Sequence, residues 1–287
     1  MYPAPLEYVR AESVDEAIRL LGERDGAKLL AGGHSLIPMM KLRLAAPTAV
    51  IDIGRIAELK GVCPTDGGLT VGALTTHAEI TRSRELRERC PLLPEAAARI
   101  GDPAVRNKGT LGGNIAHADP ASDLPAVLVA LRADVHLQGP GGRRSVPAAD
   151  FFVDLLTTAL GENEIIVGVE LPIHPPVTGS AYLKVEHPAS GYAVCGAAAV
   201  VSVEGGRCTA VRLCYNGVTA VPADAVGVTE ALVGTSLGNE TIDEAVERHL
   251  SIDEPLGDTH ASGEYRVALA RAYGKRALKR ARDRALA

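Results

Sequence analysis

The stretch LLAGGHSLIPMMKLRL, residues 29–44, begins as a buried strand would and then turns at two glycines. Gly32 and Gly33 are followed by His34 and Ser35 before an apolar run resumes. Glycine adopts positive φ without steric cost and leaves room for another backbone or a ligand. Successive N–H groups of such a turn can point together at an anion. The stretch therefore predicts a strand that ends in a turn suited to an anionic ligand.

A second glycine turn is predicted in GTLGGNIAHADPASD, residues 109–123, where Gly109, Gly112 and Gly113 surround Leu111 and precede Asn114. Either turn alone is more typical of an ordinary tight turn than of a phosphate site. Together they predict two turns that converge on one extended ligand. A dinucleotide pyrophosphate fits best, because it needs several backbone N–H donors. Neither turn is the GxGxxG or GxxxxGK[ST] motif of familiar nucleotide sites.

The surrounding sequence predicts an α+β fold. SVDEAIRLLGER, residues 13–24, has Ser13 as an N-cap and Glu16 three residues later, which indicates a first helix by the capping-box pattern. Residues 27–33 and 49–54 predict short strands, and residues 67–80 predict a strand that leads through Thr75 or Thr76 into a helix. Residues 91–131 predict a helix, a long glycine-bearing loop and a second helix, and a hairpin at Gly139–Gly142 follows.

The residue pattern of the sequence changes after the proline-rich stretch PIHPPVTG, residues 172–179. We therefore predict a domain boundary near residue 176. A β run, residues 164–172, ends just before it. Residues 192–218 predict two strands joined at Glu204, Gly205 and Gly206, and the remainder is predicted to be mainly helical. The basic RAYGKRALKRARDR, residues 271–284, reads as the polar face of a terminal helix that is solvated or faces a partner.

Composition narrows the class of protein. Of 287 residues, 46% are hydrophobic, with no Trp and two Phe, so the cores must be built from aliphatic residues. A net charge of −5 gives no reason to expect a nucleic-acid partner. With no apolar run long enough for a transmembrane span and no leader pattern, the sequence predicts a cytoplasmic protein. The five cysteines form no CxxC pair, so any iron–sulfur cluster is expected on another chain.

Taken together, AGGHS (residues 31–35) and TLGGN (residues 110–114) resemble the two flavin loops of the FAD-binding medium subunit of molybdenum hydroxylases. This family includes xanthine dehydrogenase and aerobic carbon monoxide dehydrogenase. The resemblance extends over nearly the whole chain, through ASDLPAVLVAL, EIIVGVELP, YLKVEHPASGYAVCGAAAVV and HASGEYRVALARAYGKRAL, and is strongest to the carbon monoxide dehydrogenase branch.

The resemblance implies an α+β fold in which a two-lobed PCMH-type FAD-binding domain, residues 1–176, precedes a small C-terminal α/β domain with an antiparallel sheet, residues 177–287. The second domain is similar to the C-terminal domain of the carbon monoxide dehydrogenase flavoprotein. FAD would lie extended between the two domains, held without a covalent bond.

The resemblance also implies the cofactor-binding residues. One side of the pyrophosphate is expected to meet Ala31, Gly32, Gly33, His34 and Ser35, and the other side the segment Thr110, Leu111, Gly112, Gly113 and Asn114. Asp123 matches a carboxylate near the adenosine end, and Ile166 an apolar residue against the adenine or the ring system. Lys184 matches a basic residue near the cofactor, and Tyr192 a tyrosine beside the isoalloxazine. A branched side chain at Gly33 or Gly113 is expected to intrude on the phosphates and to disfavour positive φ.

The implied function is that of an oxidoreductase subunit. Electrons from a molybdopterin-containing large subunit would pass through iron–sulfur clusters on a small subunit to FAD in this chain, and then to NAD, a quinone or oxygen. No residue of this chain is expected to be catalytic or to bind a metal; His34 has no second ligand at metal spacing, so packing and hydrogen bonding are favoured for it. Two alternatives stay open: a self-sufficient flavin oxidase with FAD attached through His34, and a scaffold subunit without cofactor.

Overall fold

The N-terminal lobe is built on a small parallel sheet. The structure, a computed structural model, describes residues 2–287. The lobe's strands pair in the order β1-β3-β2, with bounds β1 Glu7–Arg10, β2 Lys28–Leu30 and β3 Ala49–Asp52. Its helices are α1 Val14–Glu23 and α2 Leu36–Lys41. Helix α1 begins at Ser13 as predicted, and the Ser13 hydroxyl accepts from the Glu16 N–H at 3.1 Å. The Glu16 carboxylate accepts from the Glu12 N–H, one residue before the N-cap, so only half of the predicted capping box forms.

The second lobe is a five-stranded antiparallel sheet of order β4-β5-β10-β6-β7. Its strands are β4 Val62–Pro64, β5 Gly68–Gly72, β6 Asp134–Gly139, β7 Gly142–Pro147 and β10 Ile165–Pro172. A two-stranded ribbon lies beside it, β8 Phe152–Asp154 with β9 Thr157–Thr158, and a 3₁₀ turn spans Ala57–Leu59. The predicted hairpin is confirmed, because Gly139 lies opposite Gly142.

Seven short helices cover this sheet: α3 His77–Arg82, α4 Arg84–Arg89, α5 Leu92–Ala97, α6 Pro103–Arg106, α7 Leu111–His117, α8 Asp123–Ala130 and α9 Ala148–Phe151. Every residue of α8 is buried, so this helix forms the centre of the largest apolar core. The prediction of a long loop over residues 109–123 is wrong in one respect, because most of the TLGGN motif lies in helix α7. The Thr110 hydroxyl caps this helix, and Gly112 lets it pack closely on Ala73, where an added methyl group would lie 2.7 Å from the Ala73 Cβ.

The C-terminal part is a four-stranded antiparallel sheet, β11-β12-β13-β14, covered by helices. Its bounds are β11 Thr178–Glu186, β12 Ala193–Glu204, β13 Arg207–Asn216, β14 Ala223–Asp224, α10 Val226–Leu232, α11 Asn239–His249 and α12 Gly263–Ala285. The predicted turn between the two long strands is confirmed, with φ of 57° at Gly205 and 75° at Gly206. The predicted terminal helix is α12, whose Arg284 pairs with Glu95 of the second lobe.

The C-terminal sheet packs against the second lobe through α8. The side chains of Tyr182, Ala198 and Val200 belong to the same buried cluster as those of α8. Ion pairs join the two parts as well, between Arg99 and Glu186 and between Glu95 and Arg284. These contacts fix the edge of β11 and the turn that follows it against the start of α8, where the predicted site residue Asp123 lies.

Candidate cofactor site

The two glycine segments face one cavity of about 490 Å³ where the two N-terminal lobes meet the C-terminal sheet. All predicted site residues except Leu111 and Lys184 line this cavity. Leu111 is fully buried in the core beneath α7, because it is the first residue of that helix and its side chain points inward. Lys184 is buried one step behind the wall. The structure thus brings the predicted residues together around one space.

The first glycine segment approaches the backbone just before the second. A methyl group on Gly32 would overlap the carbonyl oxygen of Lys108 and lie 2.7 Å from its carbonyl carbon and 3.1 Å from the Gly109 Cα. Gly33 has φ of 75°, as predicted for a glycine of this turn. The convergence of the two segments is therefore a direct backbone contact that only a residue without a side chain permits at position 32.

The first segment also leaves backbone donors free. Within residues 2–287, no acceptor receives a hydrogen bond from the N–H groups of Gly32, Gly33, His34 or Ser35. Ser35 precedes α2 without capping it through its side chain. Successive free N–H groups beside a cavity form a concave donor surface suited to an anion. This part of the cavity fits a pyrophosphate.

The second segment offers side-chain donors, and here the expectation of a matching backbone turn is wrong. The N–H groups of residues 111–114 donate to Thr75, Ala73, the Thr110 hydroxyl and the Thr110 carbonyl, respectively. Gly113 is helical and has no positive φ. Two donors remain, the Thr110 hydroxyl hydrogen and the Asn114 amide, whose oxygen accepts from Ser122 at 2.8 Å. Gly113 leaves the Thr110 hydroxyl unobstructed, since a methyl group added at Gly113 would lie 2.8 Å from that hydroxyl.

Thr110 permits a matched test of this side-chain role. Thr110→Val removes both the cap of α7 and the hydroxyl donor at the cavity, so we expect about 1 kcal/mol of lost stability and roughly three- to tenfold weaker binding of a ligand in the cavity. Thr76→Val makes the same change at the cap of α3, where Thr76 accepts from the Glu79 N–H and does not line the cavity. Thermal unfolding should show similar losses for both variants. Equal affinity of the two variants for a titrated dinucleotide would contradict the assignment.

His77 is a wall residue that the sequence did not reveal as part of the site. Its side chain is 2% exposed, and its Nδ1 is buried without a hydrogen-bond partner in the described chain. Burial, together with the nearby His34 and Arg106, lowers the pKa of His77 to about 4. The ring is therefore neutral at neutral pH. It packs against Gly109, where a methyl group would lie 2.8 Å from the ring.

A buried polar cluster lies at the part of the cavity wall that Asp123 and Gly191 form. The carboxylate of Asp123 is 3.0 Å from Lys184 Nζ and accepts from the Tyr182 hydroxyl at 2.5 Å. Lys184 also donates to the Arg99 carbonyl at 2.7 Å and to the Gly191 carbonyl at 2.8 Å. Burial raises the pKa of Asp123 to about 6, although Lys184 and Tyr182 act to lower it. The pair anchors the cavity wall to the C-terminal sheet.

Asp123 and Tyr192 lie at the same end of the cavity. Lys184 binds both the Asp123 carboxylate and the carbonyl of Gly191, which is the neighbour of Tyr192. The resemblance placed Asp123 near the adenosine and Tyr192 beside the isoalloxazine, which are the two ends of an extended dinucleotide. These two placements do not fit this geometry together. Tyr192 precedes β12 and is 43% exposed, so it lines the mouth of the cavity rather than a sheet face.

The remaining predicted residues differ in exposure. Ile166 lies in β10, is 5% exposed and contributes an apolar wall. His34 is exposed and makes no side-chain hydrogen bond to residues 2–287, so the expectation of packing and hydrogen bonding within the chain is wrong for it. Wall residues absent from the prediction include Gly109, Ser122, Ile165, Ser190 and Gly191. Gly109 could have been predicted, because it is the first glycine of its segment. The other four residues come to the wall through tertiary packing alone.

In the part of the chain that the structure describes, no group of three or more His, Cys, Asp or Glu side chains is placed to hold a metal ion. Across residues 2–287, no helix has the length and apolar character needed to cross a membrane.

Comparison with known proteins gives consistent matches over the whole chain. The family described as "FAD binding domain in molybdopterin dehydrogenase" matches residues 4–174, and the "CO dehydrogenase flavoprotein C-terminal domain" matches residues 180–281. The carbon monoxide dehydrogenase medium chain of Hydrogenophaga pseudoflava is 40% identical over 98% of this chain and 98% of its own length. The glyceraldehyde dehydrogenase medium chain of Sulfolobus acidocaldarius is 37% identical over 97% and 99%. A solved structure of the Hydrogenophaga pseudoflava carbon monoxide dehydrogenase superposes with a TM-score of 0.96, at 41% identity, over 99% of both chains.

The α+β fold, with its glycine-lined cavity against a C-terminal antiparallel sheet, defines a dinucleotide-binding flavoprotein. The chain belongs to the family of FAD-binding medium subunits of molybdenum hydroxylases. It is the flavoprotein component of an oxidoreductase, and the cofactor of this family is FAD, bound without a covalent link. The alternatives of a flavin oxidase with FAD attached through His34 and of a scaffold without cofactor are therefore not supported.

Proposed function

We propose that this chain holds FAD in the cavity and relays electrons from iron–sulfur clusters on a partner subunit, through FAD, to an external acceptor. The observation that carries the proposal is the backbone contact of Gly32 with Lys108 and Gly109, beside four residues that line one cavity and whose N–H groups have no acceptor in the described chain. A small backbone cradle with free donors suits a pyrophosphate, and the cavity continues from it toward Tyr192.

The chain's own residues hold and orient the cofactor. The N–H groups of residues 32–35 would donate to the pyrophosphate from one side, and the Thr110 hydroxyl and Asn114 amide from the other. The orphaned Nδ1 of the neutral His77 lies at the same wall and offers a donor or an acceptor without adding charge. Bound FAD supplies the redox chemistry, while the protein supplies binding, orientation and the local field.

The apolar part of the cavity is suited to the flavin ring. Ile165 and Ile166 of β10 give an apolar wall, and Tyr192 offers a flat side chain at the mouth. Asp123 lines the cavity, and its ion pair with the buried Lys184 places opposite charges 3.0 Å apart. Because the ion pair is buried, its field is screened less than that of a surface pair. We therefore place the flavin ring, rather than the adenosine, at the Asp123 end.

The partners follow from what the chain lacks and what its relatives are. Several relatives are medium chains of dehydrogenases, so their complexes contain other chains as well. The cysteines of this chain form no cluster-binding pattern. We propose an iron–sulfur small subunit and a molybdopterin-containing large subunit as partners, NAD, a quinone or oxygen as acceptor, and the cytoplasm as the location.

Two domains carry this function in our proposal. Residues 1–176 form the PCMH-type FAD-binding domain, and residues 177–287 form the carbon monoxide dehydrogenase flavoprotein-like domain. The gap between the end of β10 at Pro172 and the start of β11 at Thr178 supports this boundary. The second domain then contributes Lys184 and the turn of Tyr192 to a site built mainly by the first.

Isolation of the chain from its native host tests the relay. We expect an affinity-tagged full chain to bring down a smaller iron–sulfur polypeptide and a larger molybdenum polypeptide, and the visible flavin band to bleach when the complex is given the large subunit's substrate. Gly141→Ala, at a turn where a methyl group would meet nothing within 4 Å, serves as the tagged control variant. A lone flavoprotein that oxidises organic substrates by itself would contradict the proposal.

A further inference from the structure

The turn that joins β11 to β12, residues 187–192, brings three residues to the cofactor cavity. Ser190, Gly191 and Tyr192 line its wall, whereas His187, the first residue of the turn, does not. The hydroxyl of Tyr192 makes no hydrogen bond within residues 2–287, so the position of this side chain depends on the turn that carries it. The contacts that hold this turn in place therefore determine the position of one wall of the site.

The ring of His187 is the centre of this turn. Its Nδ1 accepts from the N–H groups of Ala189 and Ser190, each at 3.3 Å, and lies 3.2 Å from the Ser190 hydroxyl. The His187 N–H donates to the Tyr192 carbonyl at 2.8 Å, and the Gly191 N–H donates to the His187 carbonyl at 2.9 Å. Because two N–H groups point at Nδ1, this nitrogen must be the unprotonated one.

The turn is coupled to the buried charges of the site. The Gly191 carbonyl accepts from Lys184 Nζ at 2.8 Å, and the same ammonium binds Asp123. Gly191 has φ of 71°, a conformation that the turn requires. An opened turn would therefore move Tyr192 and withdraw one of the three acceptors of a buried ammonium.

We propose that His187 is a positioning residue for the cofactor site: its Nδ1 holds the 187–192 turn closed and thereby sets Tyr192 and the Gly191 carbonyl, and protonation of the ring releases the turn. The inference rests on the proposed function. A protonated imidazole donates from both nitrogens, so an Nδ1–H would face two N–H donors. The ring of His260 lies edge-on to His187 with centroids 4.3 Å apart, and a charge on both rings would repel.

Other ionisable groups near the turn must be separated from His187. Around the turn lie His260, the pairs Glu186–Arg99 and Asp123–Lys184, the pair Asp258–Arg266 on the His260 side, and Asp119 near Tyr192. Burial raises the pKa of Asp123 to about 6, so this carboxyl changes charge in the range where histidines ordinarily do. A pH effect alone does not identify His187.

Asparagine provides the matched variant, because its Oδ1 occupies the position of the histidine Nδ1, accepts the same N–H groups and does not titrate. The measurements are FAD affinity by fluorescence titration and the visible circular dichroism of bound FAD, on the purified full chain. We expect His187→Leu to bind FAD roughly tenfold more weakly with an altered spectrum, and His187→Asn to match the parent. On acidification, the parent should shift toward the Leu variant while His187→Asn does not.

Each result decides the inference. A His187→Leu variant that binds FAD as the parent does, with an unchanged spectrum, overturns it. So does a His187→Asn variant that shifts with pH as the parent does, which would assign the effect to Asp123 or His260. If His187→Leu does not fold, the comparison of the parent with His187→Asn across pH decides alone. If the parent chain binds no FAD at any pH, the proposed function is overturned as well. This outcome distinguishes a failure of the proposed function from a failure of the inference about His187 alone.

Discussion

Gly32→Ala is expected to empty the protein of FAD. The new methyl group would overlap the carbonyl oxygen of Lys108 and crowd the Gly109 Cα, and both are backbone atoms that cannot rotate away. The two segments must then separate, and the free N–H groups of residues 32–35 lose their alignment with the Thr110 and Asn114 side chains. We expect the FAD-to-protein ratio of the purified variant to fall close to zero.

The stability of the variant should follow its loss of ligand. FAD at 100 times its dissociation constant adds about 2.7 kcal/mol to the free energy of unfolding. The parent should gain this increment when FAD is added, and Gly32→Ala should gain almost none. Gly141→Ala is the matched control, because it adds the same methyl group at a turn where nothing lies within 4 Å and φ is not positive. Full FAD occupancy in Gly32→Ala would mean that the first segment is only a turn.

The first glycine segment was predictable from the sequence because its chemistry is local. A strand that ends in two glycines indicates a turn, and the φ of Gly33 confirms it. The sequence also indicates that Gly32 belongs to the site. It does not show why a glycine is needed there, because the backbone of Lys108 and Gly109 lies beside Gly32 only in the folded chain. Contacts of this kind between distant segments cannot be read from either segment alone.

The second segment shows how local reasoning fails. A run with three glycines predicts a loop, since glycine lowers helix propensity by about 1 kcal/mol relative to alanine. The structure nevertheless forms α7 there, because Thr110 caps the helix and Gly112 packs on Ala73 in a buried position. Tertiary packing outweighs a weak local preference. The consequence for the site is that the Thr110 and Asn114 side chains replace the expected backbone donors.

The buried charges around Asp123 depend on pairing between α8 and β11. The resemblance indicates Asp123, yet its partners Tyr182 and Lys184 lie on a strand some sixty residues later in sequence. For His77 the sequence predicts only a position in a helix. No feature of the neighbouring residues shows that its Nδ1 is buried without a hydrogen-bond partner. The sequence therefore indicated the ligand class and part of the wall, but not how charge is arranged around it.

Lys184→Met should destabilise the FAD-free protein strongly, and more at alkaline than at acid pH. The Lys184 side chain is fully buried against Asp123. Removing one partner of a buried ion pair costs about 3–5 kcal/mol, because the remaining charge is left in a low-dielectric interior. Lys275→Met is the control, since Lys275 pairs with Glu247 at the partly exposed surface of α12; exposed pairs contribute about 0–1 kcal/mol.

The pH dependence has a definite sign. Burial already raises the pKa of Asp123 to about 6, and Lys184 opposes that rise, so its removal must raise the pKa further. An aspartate in the unfolded chain titrates near pKa ~3.9. Between these two values the folded variant binds a proton that the unfolded chain has released, so its free energy of unfolding falls as pH rises. Above the folded pKa the loss is complete.

Urea unfolding of the FAD-free variant at pH values on both sides of this interval measures the effect. Lys184→Met should recover much of its lost stability on acidification, because a protonated Asp123 no longer needs the ammonium. Adding Asp123→Asn to Lys184→Met should remove the pH dependence and restore part of the stability at alkaline pH, since the uncompensated charge is gone. A loss of equal size at both pH values would mean that Lys184 stabilises the fold through its bonds to the Arg99 and Gly191 carbonyls, and not through the charge of Asp123.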